Sequence, residues 1–157
     1  MEYLFDKIKE YFNKEQELFS LLNQSSINTL LNMIKDSSRI FICGNGGSGS
    51  TASHMASDLS KSLHKNAISL NDNMALITAI SNDIDYQEIF KEQLKNYDLK
   101  PEDIVIGISG SGNSKNVINA ISYANSVKAK TISFTGFNGG LLKSVSLLDI
   151  NIPIHNM

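Results

Sequence analysis

The stretch Arg39-Ile-Phe-Ile-Cys-Gly-Asn-Gly-Gly-Ser-Gly-Ser50 decides the fold. Arg39–Cys43 is a short apolar run with no helical spacing, the pattern of a strand buried on both faces of a parallel sheet. Glycines follow at once, and Ser48–Leu63 returns to a helical period. A strand, a glycine loop and a helix in that order make the first half of a βαβ unit.

Working outward, residues 2–22 carry Leu4, Ile8, Tyr11/Phe12, Leu18/Phe19 and Leu22 along one helical face. Asn23-Gln24-Ser25-Ser26 supplies caps for a second helix, about Ile27–Lys35. Downstream, Ala67–Leu70 and Ala75–Ile80 read as strands and Asp85–Tyr97 as a helix. Pro101 precedes a strand at Ile104–Ile108, and a helix at Ser114–Ser126 follows it. A strand at Lys130–Phe134, a short helix at Asn138–Val145 and a strand at Asp149–Ile154 complete the pattern. This alternation predicts an α/β fold, a three-layer αβα sandwich with a mostly parallel central sheet of flavodoxin-like kind. Residues 1–157 form one domain in this reading, with a helical segment at 1–36 and a core at 37–157.

The chain has 157 residues, a formal charge of -2, one cysteine (Cys43) and one arginine (Arg39). A lone cysteine excludes an internal disulfide and fits a reducing cytoplasm. No basic cluster marks a nucleic-acid surface, and no apolar run reaches the roughly 18 residues that span a membrane. The N-terminus lacks the basic flank and cleavage site of a signal peptide. With so little arginine, a bound anion must be held mainly by backbone N–H groups, hydroxyls and helix dipoles.

Three predicted strand ends carry loops that could hold an anion in this way, at Gly44–Ser50, Ser109–Ser114 and Thr135–Gly140. Ligands of such sheets bind beyond the carboxyl ends of the strands. In the first loop, glycines let N–H groups turn inward beside a helix N-terminus. Gly44-x-Gly46-x-x-Gly49 with Asp72 further on also fits a dinucleotide fingerprint, and a glycine turn without any ligand is the plainest alternative. A P-loop is excluded because no Lys-Ser/Thr pair closes the motif. The second loop favours a phosphate. Ser109, Ser111 and Ser114 set three hydroxyls around Gly110 and Gly112, whereas a mere helix cap at Ser114 needs only one.

Cys-Gly-Asn-Gly-Gly-Ser (43–48) with His54 and Asp58, Ile80-Ser-Asn-Asp83 followed by an aromatic and Phe90, and Gly107-Ile-Ser-Gly-Ser-Gly-Asn-Ser114 together resemble the sugar isomerase (SIS) family. The likeness is strongest to its phosphoheptose isomerase branch and runs through the whole chain. It implies aldose–ketose isomerisation of sedoheptulose 7-phosphate to D-glycero-D-manno-heptose 7-phosphate. Ser109, Gly110, Ser111 and Ser114 would hold the phosphate, and Asn45, Gly46, Gly47, Ser48 and Asp83, the last after a third strand, would meet the sugar. It also implies a homotetramer with the N-terminal helices packed centrally, although a helix lying on its own sheet would show the same stripe. No nucleotide cofactor is expected.

His54 and Asp58, four residues apart, share one helical face, a spacing that suits two ligands of one metal, a base with its orienting partner, or a simple surface pair. The resemblance makes them zinc ligands, zinc being bound in some members, with the carboxylate as catalytic base; the usual residue at Asp58 is Glu. It also implies a Gln and a His from a helix after the last strand. The sequence ends at His155-Asn-Met157 without them. A longer natural chain or cover from another subunit is therefore expected. A non-catalytic phosphosugar-binding protein is the competing reading. His155 at a chain end, His64 at a helix end, Met55 beneath a helix and Cys43 in a strand read as structural.

Overall fold

The computed structural model describes residues 2–153. Two helices, α1 (Glu2–Ser20) and α2 (Gln24–Lys35), precede β1 (Arg39–Gly44), α3 (Gly47–Leu63) and β2 (Asn66–Ser69). The chain continues through α4 (Met74–Asp83), a 3-10 turn at Tyr86–Glu88, α5 (Ile89–Asn96) and β3 (Ile104–Ser109). It ends with α6 (Lys115–Ser126), β4 (Lys130–Thr135), α7 (Gly140–Val145) and β5 (Leu148–Asn151). Ile154 and His155, assigned above to a strand end and a chain end, lie outside the described residues.

The strands form one parallel sheet in the order β2-β1-β3-β4-β5. From β1 the chain moves to β2 on one side, and from β3 it moves to β4 on the other. The central pair runs in register from Ile40 opposite Ile104 to Gly44 opposite Ile108. Where neighbouring strands send their connections in opposite directions, a crevice opens at their carboxyl ends. The first two glycine/serine loops are the ones that rim it.

Alternation along the strands separates two cores. Ile40, Ile42, Ile104, Ile106, Ile132 and Ile150 face α2 and α3, meeting Leu30, Met33, Ala52 and Leu59. Phe41, Cys43 and Val105 face the other way, toward Phe90, Leu94, Val117, Ile121 and Leu142. Burial pushes the Cys43 thiol up to about 12, so it stays protonated and inert, in keeping with a structural role. Helix α3 stops at His64, whose φ of 52° puts it in the left-handed region and ends the helical hydrogen bonds.

Ala75–Ile80 is a helix, not a strand. Asn73 caps α4 by accepting from the Leu76 N–H at 3.0 Å, and Leu76, Ile77 and Ile80 then lie together against the Phe90 cluster. A short apolar run rich in branched residues does not distinguish a strand from a buried helix; the cap distinguishes them. The sheet consequently has five strands, and Asp83 ends a helix rather than following a strand.

Arg39 lies at the amino end of β1, the end of the sheet away from the glycine loops. Its Nε and Nη2 donate to Asp103, which is 1% exposed, while Nη1 and Nη2 also reach the carbonyls of Tyr97 and Asp98. The Asp103 hydrogen bond raises the guanidinium pKa further above its usual value. The Asp103 carboxylate also accepts from the Lys100 N–H at 2.8 Å, so the pair pins the turn before β3 to the start of β1. Truncating one partner of such a pair strands the other charge. Asp103→Ala should lower stability by about 3 kcal/mol, or roughly 6–12 °C in Tm. A thermal melt showing no loss would contradict this role.

Candidate functional site

Glycine contacts set the shape of the first loop, Gly44–Gly47. A side chain at Gly44 would sit 2.7 Å from the Ser48 backbone, and Gly46 holds a φ of +54° that glycine adopts freely. Asn71, just beyond β2, steadies the turn from below: its Nδ2 donates to Gly44 O at 2.7 Å, and its Oδ1 accepts from Gly44 N at 3.2 Å. Ser48 N–H donates to Asn45 O at 3.0 Å. Gly46 and Gly47 face open space, which leaves the start of α3, a 17-residue helix, accessible to an anion.

The second loop, Ser109–Ser114, is folded on itself. Ser109, 3% exposed, places its Oγ 3.0 Å from Ser114 Oγ. Ser114 occupies the N-cap position of α6, yet its hydroxyl makes no cap hydrogen bond. Capping therefore does not account for this serine. Ser111 is exposed, its Oγ accepting from the Asn113 N–H at 3.2 Å. The hydroxyls of Ser109 and Ser114 thus face each other at the carboxyl end of β3, beside a helix start, with Ser111 exposed on the same loop.

The third loop, Gly136–Gly139, acts as a brace for the second. Gly136 N–H donates to Gly110 O at 2.9 Å, Leu142 N–H to Gly112 O at 2.8 Å, and Leu141 N–H to Asn113 Oδ1 at 3.1 Å. The backbones touch so closely that a side chain at Gly112 would lie 1.9 Å from Gly139 O. This loop stood out by its composition, and the structure shows it touching the second loop directly.

Asn45 joins these loops to the helical side of the site, through hydrogen bonds to Asn116 on α6 and to Tyr86. Tyr86 stands three residues after Asp83, whose Oδ1 accepts from Asn82 Nδ2 at 2.8 Å on the exposed end of α4. Asn116 and Asn71 hold the first loop in place and were missed by sequence reasoning. Asn116 had a signal: it is a polar residue of poor helix propensity, and four residues on Ala120 lies on the buried stripe of α6.

His54 and Asp58 stand apart from this cluster. His54 Nε2 lies 3.2 Å from Asp58 Oδ2, and the side chains are 81% and 63% exposed. At a rise of about 1.5 Å per residue, His54 is roughly 9 Å and Asp58 roughly 15 Å along α3 from Ser48. They face each other as an ion pair and contact no loop residue among the described residues. A structural zinc takes four ligands and a catalytic one three. Among the described residues no group of three or more His, Cys, Asp or Glu could hold a metal ion. The pair supplies two donors, and the described residues alone do not fit zinc.

A groove of about 610 Å³ lies elsewhere, along the β2 edge, lined by Ser53, Ser57, Ser69, Asp72 and Tyr97 among others. Asp72, the acidic residue of the dinucleotide pattern, accepts there from Ser53 Oγ. The groove is open and carries no loop serine or glycine. The donor chemistry favours the strand-end loops over this hollow.

A model of the SIS domain family matches residues 5–136. The phosphoheptose isomerase of Helicobacter pylori (strain ATCC 700392 / 26695) is 39% identical over 152 residues, 92% of this chain and 78% of that protein. A probable phosphoheptose isomerase of Thermoplasma acidophilum is 41% identical over 124 residues, 76% of this chain and 68% of that one. Among solved structures, the phosphoheptose isomerase of Neisseria gonorrhoeae superposes with a TM-score of 0.87 at 27% identity, over 99% of this chain and 88% of that chain. That of Francisella tularensis gives 0.85 at 28%, over 98% and 87%.

The contacts between loops rank the glycines. Gly46→Ala and Gly112→Ala both force a side chain to positive φ, at about 1–3 kcal/mol each, but only Gly112→Ala also strikes backbone. Chemical denaturation should show Gly112→Ala to be the more destabilising, and the reverse order would remove the brace.

Proposed function

Since this chain belongs to the SIS domain family, in its phosphoheptose isomerase branch, we propose that it isomerises sedoheptulose 7-phosphate to D-glycero-D-manno-heptose 7-phosphate. The single observation that carries the phosphate part is the facing pair Ser109 Oγ and Ser114 Oγ, 3.0 Å apart at a helix start whose cap the Ser114 side chain does not make. Hydroxyls and N–H groups can saturate phosphate oxygens without a guanidinium. In this reading Ser109, Gly110, Ser111 and Ser114 hold the phosphate, and Asn45, Gly46, Gly47, Ser48 and Asp83 face the sugar.

The reaction moves one proton between neighbouring carbons. A base takes the proton from the carbon beside the carbonyl while the carbonyl oxygen gains one, leaving an enediol; a proton returned to the former carbonyl carbon, with the proton on the other hydroxyl given up, completes the exchange. Asp58 is the proposed base, with His54 Nε2 orienting its carboxylate. Zinc on His54 and Asp58, as the family resemblance suggests, would need donors beyond the described residues. Because the pair lies well along α3 from the loops, a substrate must reach it either by its own length or from a second copy. The exposed apolar side chains of α1, among them Leu4, Phe5, Ile8 and Phe12, support a homo-oligomer with these helices at its centre. A tetramer in the cytoplasm is the proposed setting; no described helix is long and apolar enough to cross a membrane.

Ser111→Ala should raise KM for the phosphosugar on the order of tenfold and leave that for the dephosphorylated sugar nearly unchanged. Equal effects on both would sink the phosphate assignment. Asp58→Asn should cut turnover by about 10²–10⁴ while calorimetry shows affinity retained. The separation of His54 and Asp58 from the loops also favours a second reading, a phosphosugar-binding protein without catalysis. Saturable binding of sedoheptulose 7-phosphate with no conversion, with or without added zinc, would establish that one instead.

A further inference from the structure

Asn45 is locked by a reciprocal pair of amides. Its Nδ2 donates to Asn116 Oδ1 at 2.8 Å, and Asn116 Nδ2 donates back to Asn45 Oδ1 at 2.9 Å. Asn116 is 2% exposed, so neither arm exchanges freely with water. The direction of both amides follows from one backbone group. Val117 N–H donates to Asn116 Oδ1 at 2.9 Å, so that atom must be oxygen. The other end of Asn116 is then an NH₂, and Asn45 must meet it with its own oxygen. Tyr86 OH donates to that same Asn45 Oδ1 at 3.0 Å. An amide oxygen has two lone pairs, and both are used; of the two Nδ2 hydrogens, one is used. What remains to this half-buried side chain is a single N–H, without a partner among the described residues.

We infer that Asn116 is a positioning residue which, with Tyr86, makes Asn45 a donor only, offering one N–H to a hydroxyl or carbonyl oxygen of the sugar. This rests on the reading above that Asn45 meets the sugar. The chemical consequence is a preference for groups that accept. A carbonyl or hydroxyl is accommodated, and a protonated amine, which only donates, is rejected. Had Asn45 been free to flip its amide, either would be bound. Backbone Val117 thus sets the polarity of a side chain on a different loop.

The test has a part that needs no ligand. In ¹⁵N-labelled protein, one Asn45 Nδ2 proton should be protected from hydrogen exchange relative to the other, and Asn116→Ala should abolish the difference. Equal, fast exchange of both in the wild type overturns the inference. Calorimetry with sedoheptulose 7-phosphate and with inorganic phosphate supplies the second part. Asn116→Ala should weaken the sugar phosphate on the order of tenfold and leave inorganic phosphate unchanged. The exposed Tyr86→Phe, which removes only the hydroxyl, should weaken it a few-fold in the same selective way. Asn45→Ala/Asn116→Ala should bind no worse than Asn45→Ala alone, because Asn116 acts through Asn45. Additive losses, or equal loss of phosphate binding, overturn the inference. If Asn116→Ala does not fold, the wild-type exchange and Tyr86→Phe still decide. Wild-type protein that binds neither ligand would instead defeat the phosphosugar reading, and the exchange data would still decide the lock.

Discussion

Adjacent strands β1 and β3 send the chain off in opposite directions, and the crevice that opens between their carboxyl ends is the constraint to which the rest conforms. A loop leaving β1 must turn at once toward α3, and one leaving β3 toward α6. Each turn is tight enough to need glycine where backbone meets backbone, at Gly44 against Ser48 and at Gly112 against Gly139. The serines and Asn45 are then carried on turns that have little freedom to move. Rigidity of this kind comes from contacts among backbones, and it does not depend on any large side chain reaching in.

The chain's single arginine is committed at the other end of the sheet, to Asp103. A phosphate in the crevice would therefore meet no guanidinium, and the donors the two loops themselves supply are hydroxyls and backbone dipoles. Such donors are worth most where water is excluded and the geometry is held in advance. That explains why so much of the local structure serves to hold other structure: Asn71 under the first loop, the third loop against the second, Asn116 behind Asn45. The His54–Asp58 pair belongs to a different regime. It is exposed, its two members face each other at 3.2 Å, and it lies further along α3 than the loops reach.

Most of the fold was legible because strand and helix differ in period over Arg39–Leu63 and again over Ile104–Phe134. The exception is instructive. Ala75–Ile80 is apolar and short, so its period carried little information, and the decisive residue was Asn73, outside the run and acting through one cap hydrogen bond. The loops were legible from composition, since glycine and serine at a strand end have few other uses. Their partners were not. Asn71 and Asn116 act across 27 and 71 residues of chain, and nothing in local spacing announces a contact of that range. Whether His54 and Asp58 work together with the loops depends on neighbours that a sequence pattern does not locate.

The uncapped hydroxyl of Ser114 has a further meaning for α6. Asn116 Oδ1 takes the Val117 N–H, but Ser114 Oγ turns to Ser109 and leaves the first turn of the helix short of an acceptor. Helices that begin this way are less firmly wound at their ends. An anion accepted there would stand in for the missing cap, so that occupying the crevice and winding the start of α6 become one equilibrium. Affinity would then respond to substitutions on the outer face of that first turn, at positions that never approach a ligand.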